Sequence, residues 1–220
     1  MTSFETGRVI KSTGSWYHVI KEDLNVVECR LRGKFRTKGI KSTNPVAVGD
    51  IVDFETENHT IIKIHPRKNY IIRKSIKLSK QSHIIASNID QAVVIASLKQ
   101  PRTSTGFIDR FLVTAEAYHI PCVIVFNKID LLEDEDDLNK LISAYEDIGY
   151  HCIKTSVTKS INLDVFEEIF KDKISLLSGH SGVGKSALIN TLGLEIELKT
   201  GDISEYHDKG MHTTTFAEMF

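Results

Sequence analysis

Gly179-His180-Ser181-Gly182-Val183-Gly184-Lys185-Ser186 is the most informative segment of the chain. It fits the pattern G-x-x-x-x-G-K-[ST]. An apolar run, Ile174–Ser178, precedes it, and a run with helical spacing, Lys185–Leu192, follows it. The segment therefore reads as strand, loop, helix. Glycines let such a loop curl until its backbone N–H groups converge, and the helix behind it points its positive end at the same place. That geometry holds phosphate groups. Lys185 is placed to reach between the β- and γ-phosphates, and the Ser186 hydroxyl to ligate Mg2+.

Working outward, residues from about 84 onward alternate between strand and helix patterns. Gln91–Ser97, Cys122–Phe126 and His151–Thr155 are short apolar strands. Ile108–His119, Leu138–Ile148 and Leu163–Phe170 place apolar residues at helical spacing. A βαβα order predicts a parallel sheet covered by helices on both faces. The acidic run Glu133–Asp137 suits a solvated helix start.

A phosphate loop does not choose a base; Asn127-Lys128-Ile129-Asp130 does. It ends a buried strand, so it emerges at the carboxyl edge, where open α/β sheets bind ligands. The Asp130 carboxylate only accepts hydrogen bonds and matches the N1–H and exocyclic amine of guanine; adenine presents the wrong pattern there. This argues against a phosphate-loop kinase or ATPase that uses ATP. Asn127 is expected to brace the loops, and the Lys128 stem to stack on the base. Thr155-Ser156-Val157 ends the next strand, and Ser156 and Val157 can offer backbone N–H groups to guanine O6. The nucleotide-binding set is thus Asn127, Lys128, Asp130, Ser156, Val157, Gly179, His180, Ser181, Gly182, Val183, Gly184, Lys185, Ser186 and Ala187. His180 fills a permissive position inside its loop.

The first sixty-odd residues have a different period. Gly7–Lys11, Trp16–Ile20, Val26–Arg32, Asp50–Glu55 and Thr60–Ile64 are rich in Val, Ile and aromatics and are separated by turn residues. Five short strands predict a small β-barrel of the OB-fold kind. Alternation from Cys29 to Arg36 would set Arg30, Arg32, Lys34 and Arg36 on one face, as an RNA-binding surface or as a solvated outer face. Val48-Gly49-Asp50 reads as a turn feeding a strand. The basic stretch Pro66–Leu78 reads as an interdomain connection whose cations contact phosphates. The expected layout is a barrel over 1–66, a linker over 67–83 and the α/β domain over 84–220.

Composition fits this division. The 220 residues are 41% hydrophobic and 26% charged, with a net charge of −1. Residues 1–80 hold 16 Lys and Arg against 8 Asp and Glu; the remainder hold 12 against 21. A basic small domain beside an acidic body implies a polyanionic partner such as RNA. No apolar run reaches the ~18 residues of a membrane span. The start Met1-Thr2-Ser3-Phe4-Glu5 has no signal-peptide pattern, so a cytoplasmic protein is expected. Cys29, Cys122 and Cys152 form no C-x-x-C pair, which leaves neither a zinc site nor a disulfide framework.

The order of the motifs is unusual. Asn127–Asp130 comes first, then Thr155-Ser156, then the phosphate loop, whereas ordinary GTPases begin with the loop. This is a circular permutation, tolerated where natural termini lie close together. An OB-like barrel followed by N-K-I-D, T-S, G-H-S-G-V-G-K-S and Gly210-Met211-His212-Thr213-Thr214-Thr215 closely resembles the ribosome small subunit-dependent GTPase A family, over essentially the whole chain. The resemblance implies a bacterial cytoplasmic GTPase acting late in maturation of the 30S subunit. Hydrolysis of GTP to GDP and phosphate would be stimulated by that subunit, and the barrel would contact 16S ribosomal RNA. It implies that Gly201–Thr215 is a switch segment, with one of Thr213, Thr214 and Thr215 (Thr214 foremost) closing on Mg2+ and the γ-phosphate and His212 a candidate for positioning the attacking water; a monomer is the default. The family continues with D-T-P-G and a zinc-binding domain of Cys and His ligands. No D-x-x-G occurs here, and Phe216–Phe220 reads as the middle of a strand. The expectation is a portion of a longer protein, with Zn2+ belonging only to the part beyond it, that binds GDP and GTP alike and turns over slowly. The alternative is an RNA- or ribosome-binding module whose nucleotide site binds without turnover.

Overall fold

A computed structural model of the chain describes residues 3–31, 45–74, 82–193 and 219. Two compact units divide between Ile89 and Asp90.

The first unit is built on five strands: β1 (Phe4–Ser12), β2 (Trp16–Ile20), β3 (Val26–Leu31), β4 (Ile51–Glu55) and β5 (Thr60–Ile64). They close into a barrel in the order β1-β2-β3-β5-β4. Among the described residues of the barrel strands the β3–β5 pair alone is parallel, and β1 returns to pair with β4. Alternation dictates the interior: Val9, Tyr17, Val19, Cys29, Val46, Val52, Phe54 and Ile61 are buried together. This is the barrel the strand spacing predicts. Arg30 lies on the outer surface at the register position opposite Trp16, its guanidinium 4.4 Å above the indole ring. Arg32, Lys34 and Arg36 lie outside the described residues.

The expected linker over 67–83 needs correction. It contains β6 (Tyr70–Lys74), which pairs antiparallel with β7 (Ser82–Ser87) in a two-stranded sheet of the first unit. Burial of Ile71 and Ile84 gives this hairpin an apolar inner side. The division after Ile89 falls behind β7, whereas the expected second domain starts within that strand at residue 84. Nor is Arg67 available to phosphate. Its guanidinium forks onto buried Asp50, with Nε to Oδ1 at 2.6 Å and a terminal nitrogen to Oδ2 at 2.6 Å, and also donates to the Pro45 carbonyl. Ser87 Oγ and the Ala47 N–H complete the Asp50 shell. Three chain segments, 45–50, Arg67 and Ser87, meet on one carboxylate, and the turn Val48-Gly49-Asp50 is the centre of that node.

The second unit carries β8 (Gln91–Ala96), α1 (Thr105–Ala117), β9 (Cys122–Phe126), α2 (Asp136–Glu146), β10 (His151–Lys154), α3 (Leu163–Glu168), β11 (Ser175–Ser178) and α4 (Lys185–Asn190). The strands form a fully parallel sheet in the order β10-β9-β8-β11. Every residue of β8 is buried, as expected of a strand covered on both faces. One face packs Val94, Ala96, Ile124 and Phe126 against Ile108, Leu112, Leu138 and Tyr145 of α1 and α2. The other packs Val93, Ile95, Val125 and Ile153 against Phe166, Val183 and Leu188. The Phe216–Phe220 strand expectation lies outside the described residues except for Met219, whose N–H donates to the Ile10 carbonyl.

Candidate nucleotide site

The carboxyl ends of β11, β9 and β10 bring the sequence motifs together. The loop after β11 begins at Gly179, where an added Cβ would lie 2.4 Å from the Ile95 carbonyl oxygen of the neighbouring strand. The same loop ends at Gly184, with φ +95°, which heads α4. Between them Val183 points inward and is wholly buried in the core beneath the loop. Ser181 and Gly182 face solvent, while Ser186 and Ala187 are half-buried in the first turn of α4. The Lys185 ammonium turns back into the curl and donates to the carbonyls of Gly179 (2.7 Å) and His180 (2.6 Å). Burial pulls its pKa below the ordinary lysine value. His180 packs its ring against Phe107 of α1 with centroids 4.0 Å apart.

Asn127 ties this loop to the next. Its side-chain amide donates to the Val183 carbonyl at 2.9 Å and its oxygen accepts from Thr155 Oγ1 at 3.1 Å. Its backbone N–H donates to the Ala96 carbonyl. One buried side chain thereby joins the ends of β9 and β10 to the phosphate loop. The fit leaves no room for a larger residue at Gly184, where a Cβ would approach Asn127 Nδ2 to 2.3 Å. Lys128 follows in the left-handed region, φ 63°, an uncommon setting for a side chain of this size. Its ammonium donates to the Gln100 carbonyl at 2.6 Å.

Asp130 sits in a single 3-10 turn, Ile129–Leu131. Oδ1 accepts from Ser156 Oγ at 2.5 Å and Oδ2 from Thr158 Oγ1 at 2.9 Å. The Ser156 hydroxyl, and after it that of Thr158, hold the carboxyl below the usual aspartate range against the opposing effect of burial. Val157 packs with the cluster that also holds Val183, so both loops rest on one apolar floor.

Sequence reasoning missed three participants. Gln100 supplies only a backbone oxygen and carries no residue-type signal. Phe107 reads as one more apolar position of α1. Thr158 was visible as a second hydroxyl two residues after Ser156. His212 and Thr214 lie outside the described residues. Among the described residues no group of three or more His, Cys, Asp or Glu side chains could hold a metal ion.

An N-K-I-D loop hydrogen-bonded to a G-x-x-x-x-G-K-S loop that follows it in sequence is the motif order of a circularly permuted P-loop GTPase. The family model for the RsgA GTPase matches residues 64–220, and that for the RsgA N-terminal domain matches residues 6–62. The chain belongs to the RsgA GTPase family. It is 55% identical to the small ribosomal subunit biogenesis GTPase RsgA of Flavobacterium johnsoniae, covering 98% of this chain and 69% of that protein. It is 53% identical to the protein of that name from Phocaeicola vulgatus, covering 97% and 71%. Among solved structures, YjeQ from Thermotoga maritima aligns with a TM-score of 0.70 at 34% identity, covering 90% of this chain and 68% of that one. YloQ, described as a circularly permuted GTPase, aligns at 0.65 and 35%, covering 86% and 64%.

Proposed function

We propose that the chain binds GTP and hydrolyses it to GDP and phosphate in the late maturation of the small ribosomal subunit, with the subunit stimulating turnover. The observation that carries this reading is the hydrogen bond from the Asn127 amide to the Val183 carbonyl, which ties the loop read as base-selecting to the loop read as phosphate-binding. The names of the relatives supply the ribosomal context.

In this reading Asp130 accepts from the guanine N1–H and amine, and Lys128 lays its stem along the base. The backbone of Gly179–Lys185 surrounds the phosphates. Lys185 exchanges the carbonyls of Gly179 and His180 for the β- and γ-phosphate oxygens. Ser186 is a hard oxygen donor at the start of α4, suited to Mg2+, which when bound neutralises charge developing on the phosphates. Thr214 as second magnesium ligand and His212 as the residue positioning water rest on resemblance. The first unit, whose stretch 1–80 holds 16 Lys and Arg against 8 Asp and Glu and which carries Arg30 over Trp16 on the barrel surface, is proposed to contact 16S ribosomal RNA.

GTP turnover measured with and without purified small subunits tests the proposal. A rate that rises with added subunits, and is lost in Lys185→Ala, is expected. A rate indifferent to subunits would remove the ribosomal part of the reading. If no turnover occurs but subunits are still bound, the chain is a binding module.

A further inference from the structure

The carboxylate of Asp130 is held at both oxygens by two hydroxyls of one turn. Ser156 donates to Oδ1 and Thr158 to Oδ2, and the hydroxyls themselves lie 3.0 Å apart. The turn is fixed in its own right: the Lys159 N–H donates to Ser156 Oγ, and Ser156 pairs with Ile161. Ser156 is fully buried whereas Thr158 is exposed, so the carboxylate has an inner anchor and an outer one.

A carboxylate turns freely about its last bond, since such terminal torsions have broad, shallow wells. One donor fixes one oxygen and leaves the plane free to rock. Two donors fix the plane. Each oxygen keeps a further lone pair after accepting one hydroxyl. Guanine presents N1–H and its amine in one plane, so it bonds both oxygens well only when they share that plane.

We propose that Thr158 is a positioning residue for guanine recognition, its hydroxyl setting the plane of the Asp130 carboxylate that meets the base. This rests on the reading of Asp130 as the group that selects guanine.

The test is displacement of a fluorescent GDP from the full chain by unlabelled GDP and by IDP. IDP retains N1–H and lacks the amine, so the GDP-to-IDP affinity ratio isolates one of the two carboxylate bonds. The unaltered chain should favour GDP by about tenfold or more. Thr158→Val should weaken GDP roughly five- to tenfold and IDP less, shrinking the ratio, and Thr158→Ser should restore it. An unchanged thermal midpoint verifies that the exposed substitution leaves the fold intact. A ratio that survives Thr158→Val overturns the proposal, as does tighter GDP binding, which would make the hydroxyl a competitor of the base. An unaltered chain that binds IDP as well as GDP overturns the reading of Asp130 itself, and the proposal with it.

Discussion

Each unit of this protein is organised around a buried polar node, and the two nodes differ in kind. In the first unit Asp50, fully buried, collects Arg67, Ser87 and the Ala47 N–H. In the second, Asn127 collects Val183 and Thr155. Each abuts a glycine of positive φ, Gly49 at +93° and Gly184 at +95°. A Cβ at Gly49 would stand 2.0 Å from the Ser87 carbonyl oxygen, and one at Gly184 would stand 2.3 Å from Asn127 Nδ2. The first node uses a full charge and its counter-charge and holds architecture. The second uses a neutral amide that can both donate and accept, and holds loops whose proper partner is a ligand. A neutral brace suits that task because it adds no fixed charge beside the phosphates.

This contrast can be broken or sharpened by substitution. The largest effect belongs to Asp50→Ala, which strands the Arg67 guanidinium in a buried place. A loss of about 3–5 kcal/mol in the first unit is expected, read by denaturant titration, with GDP affinity of the folded fraction unchanged. Asn127→Ala should act the other way. Leaving the Val183 carbonyl and Thr155 hydroxyl unpartnered costs about 2–3 kcal/mol. Calorimetric titration should find this mainly in nucleotide affinity, as a roughly 30- to 150-fold loss. The paired glycines come next, each substitution costing about 1–3 kcal/mol through strain and collision. Gly49→Ala should lower the thermal midpoint and spare GDP binding; Gly184→Ala should weaken GDP binding with little change in midpoint. If both lower the midpoint equally, the nodes are not distinct in role.

The smallest effect is one of pH. Hydroxyl donors lower the Asp130 pKa in the folded protein, so its contribution is fully present above the unfolded aspartate value and is lost as pH falls through the lowered folded value. Guanine preference should therefore persist into acid below the ordinary aspartate range while the fold survives. In Thr158→Val the loss should begin at higher pH, as competition between GDP and ADP across a pH series would show.

How much of this was legible in the sequence follows the same division. The phosphate loop, N-K-I-D and the alternating barrel strands carry local signals, because phosphate cradling and pleat alternation each demand residue types at fixed spacing. The role of Asn127 could be read for the same reason. The Asp50 node could not. Arg67 is basic in a basic stretch, and its partner lies 17 residues earlier with no pattern linking the two. The β6–β7 hairpin was hidden likewise: its pairing of Tyr70 with Ser87 is non-local, and the neighbouring Arg73 and Lys74 give it the composition of a connection. Thr158 fell between these cases, since a hydroxyl in a turn carries no message until its carboxylate partner is in place.

Whether Asn127 braces one guanine site is decided by competition for a fluorescent GDP on this chain by GTP, GDP and ATP, repeated on Asn127→Ala. If the two loops form one guanine site braced by Asn127, GTP and GDP displace the probe, ATP does not, and the substitution weakens GTP and GDP together. Displacement by ATP as readily as by GTP, or an Asn127→Ala chain that binds GDP as tightly as the unaltered one, would contradict it.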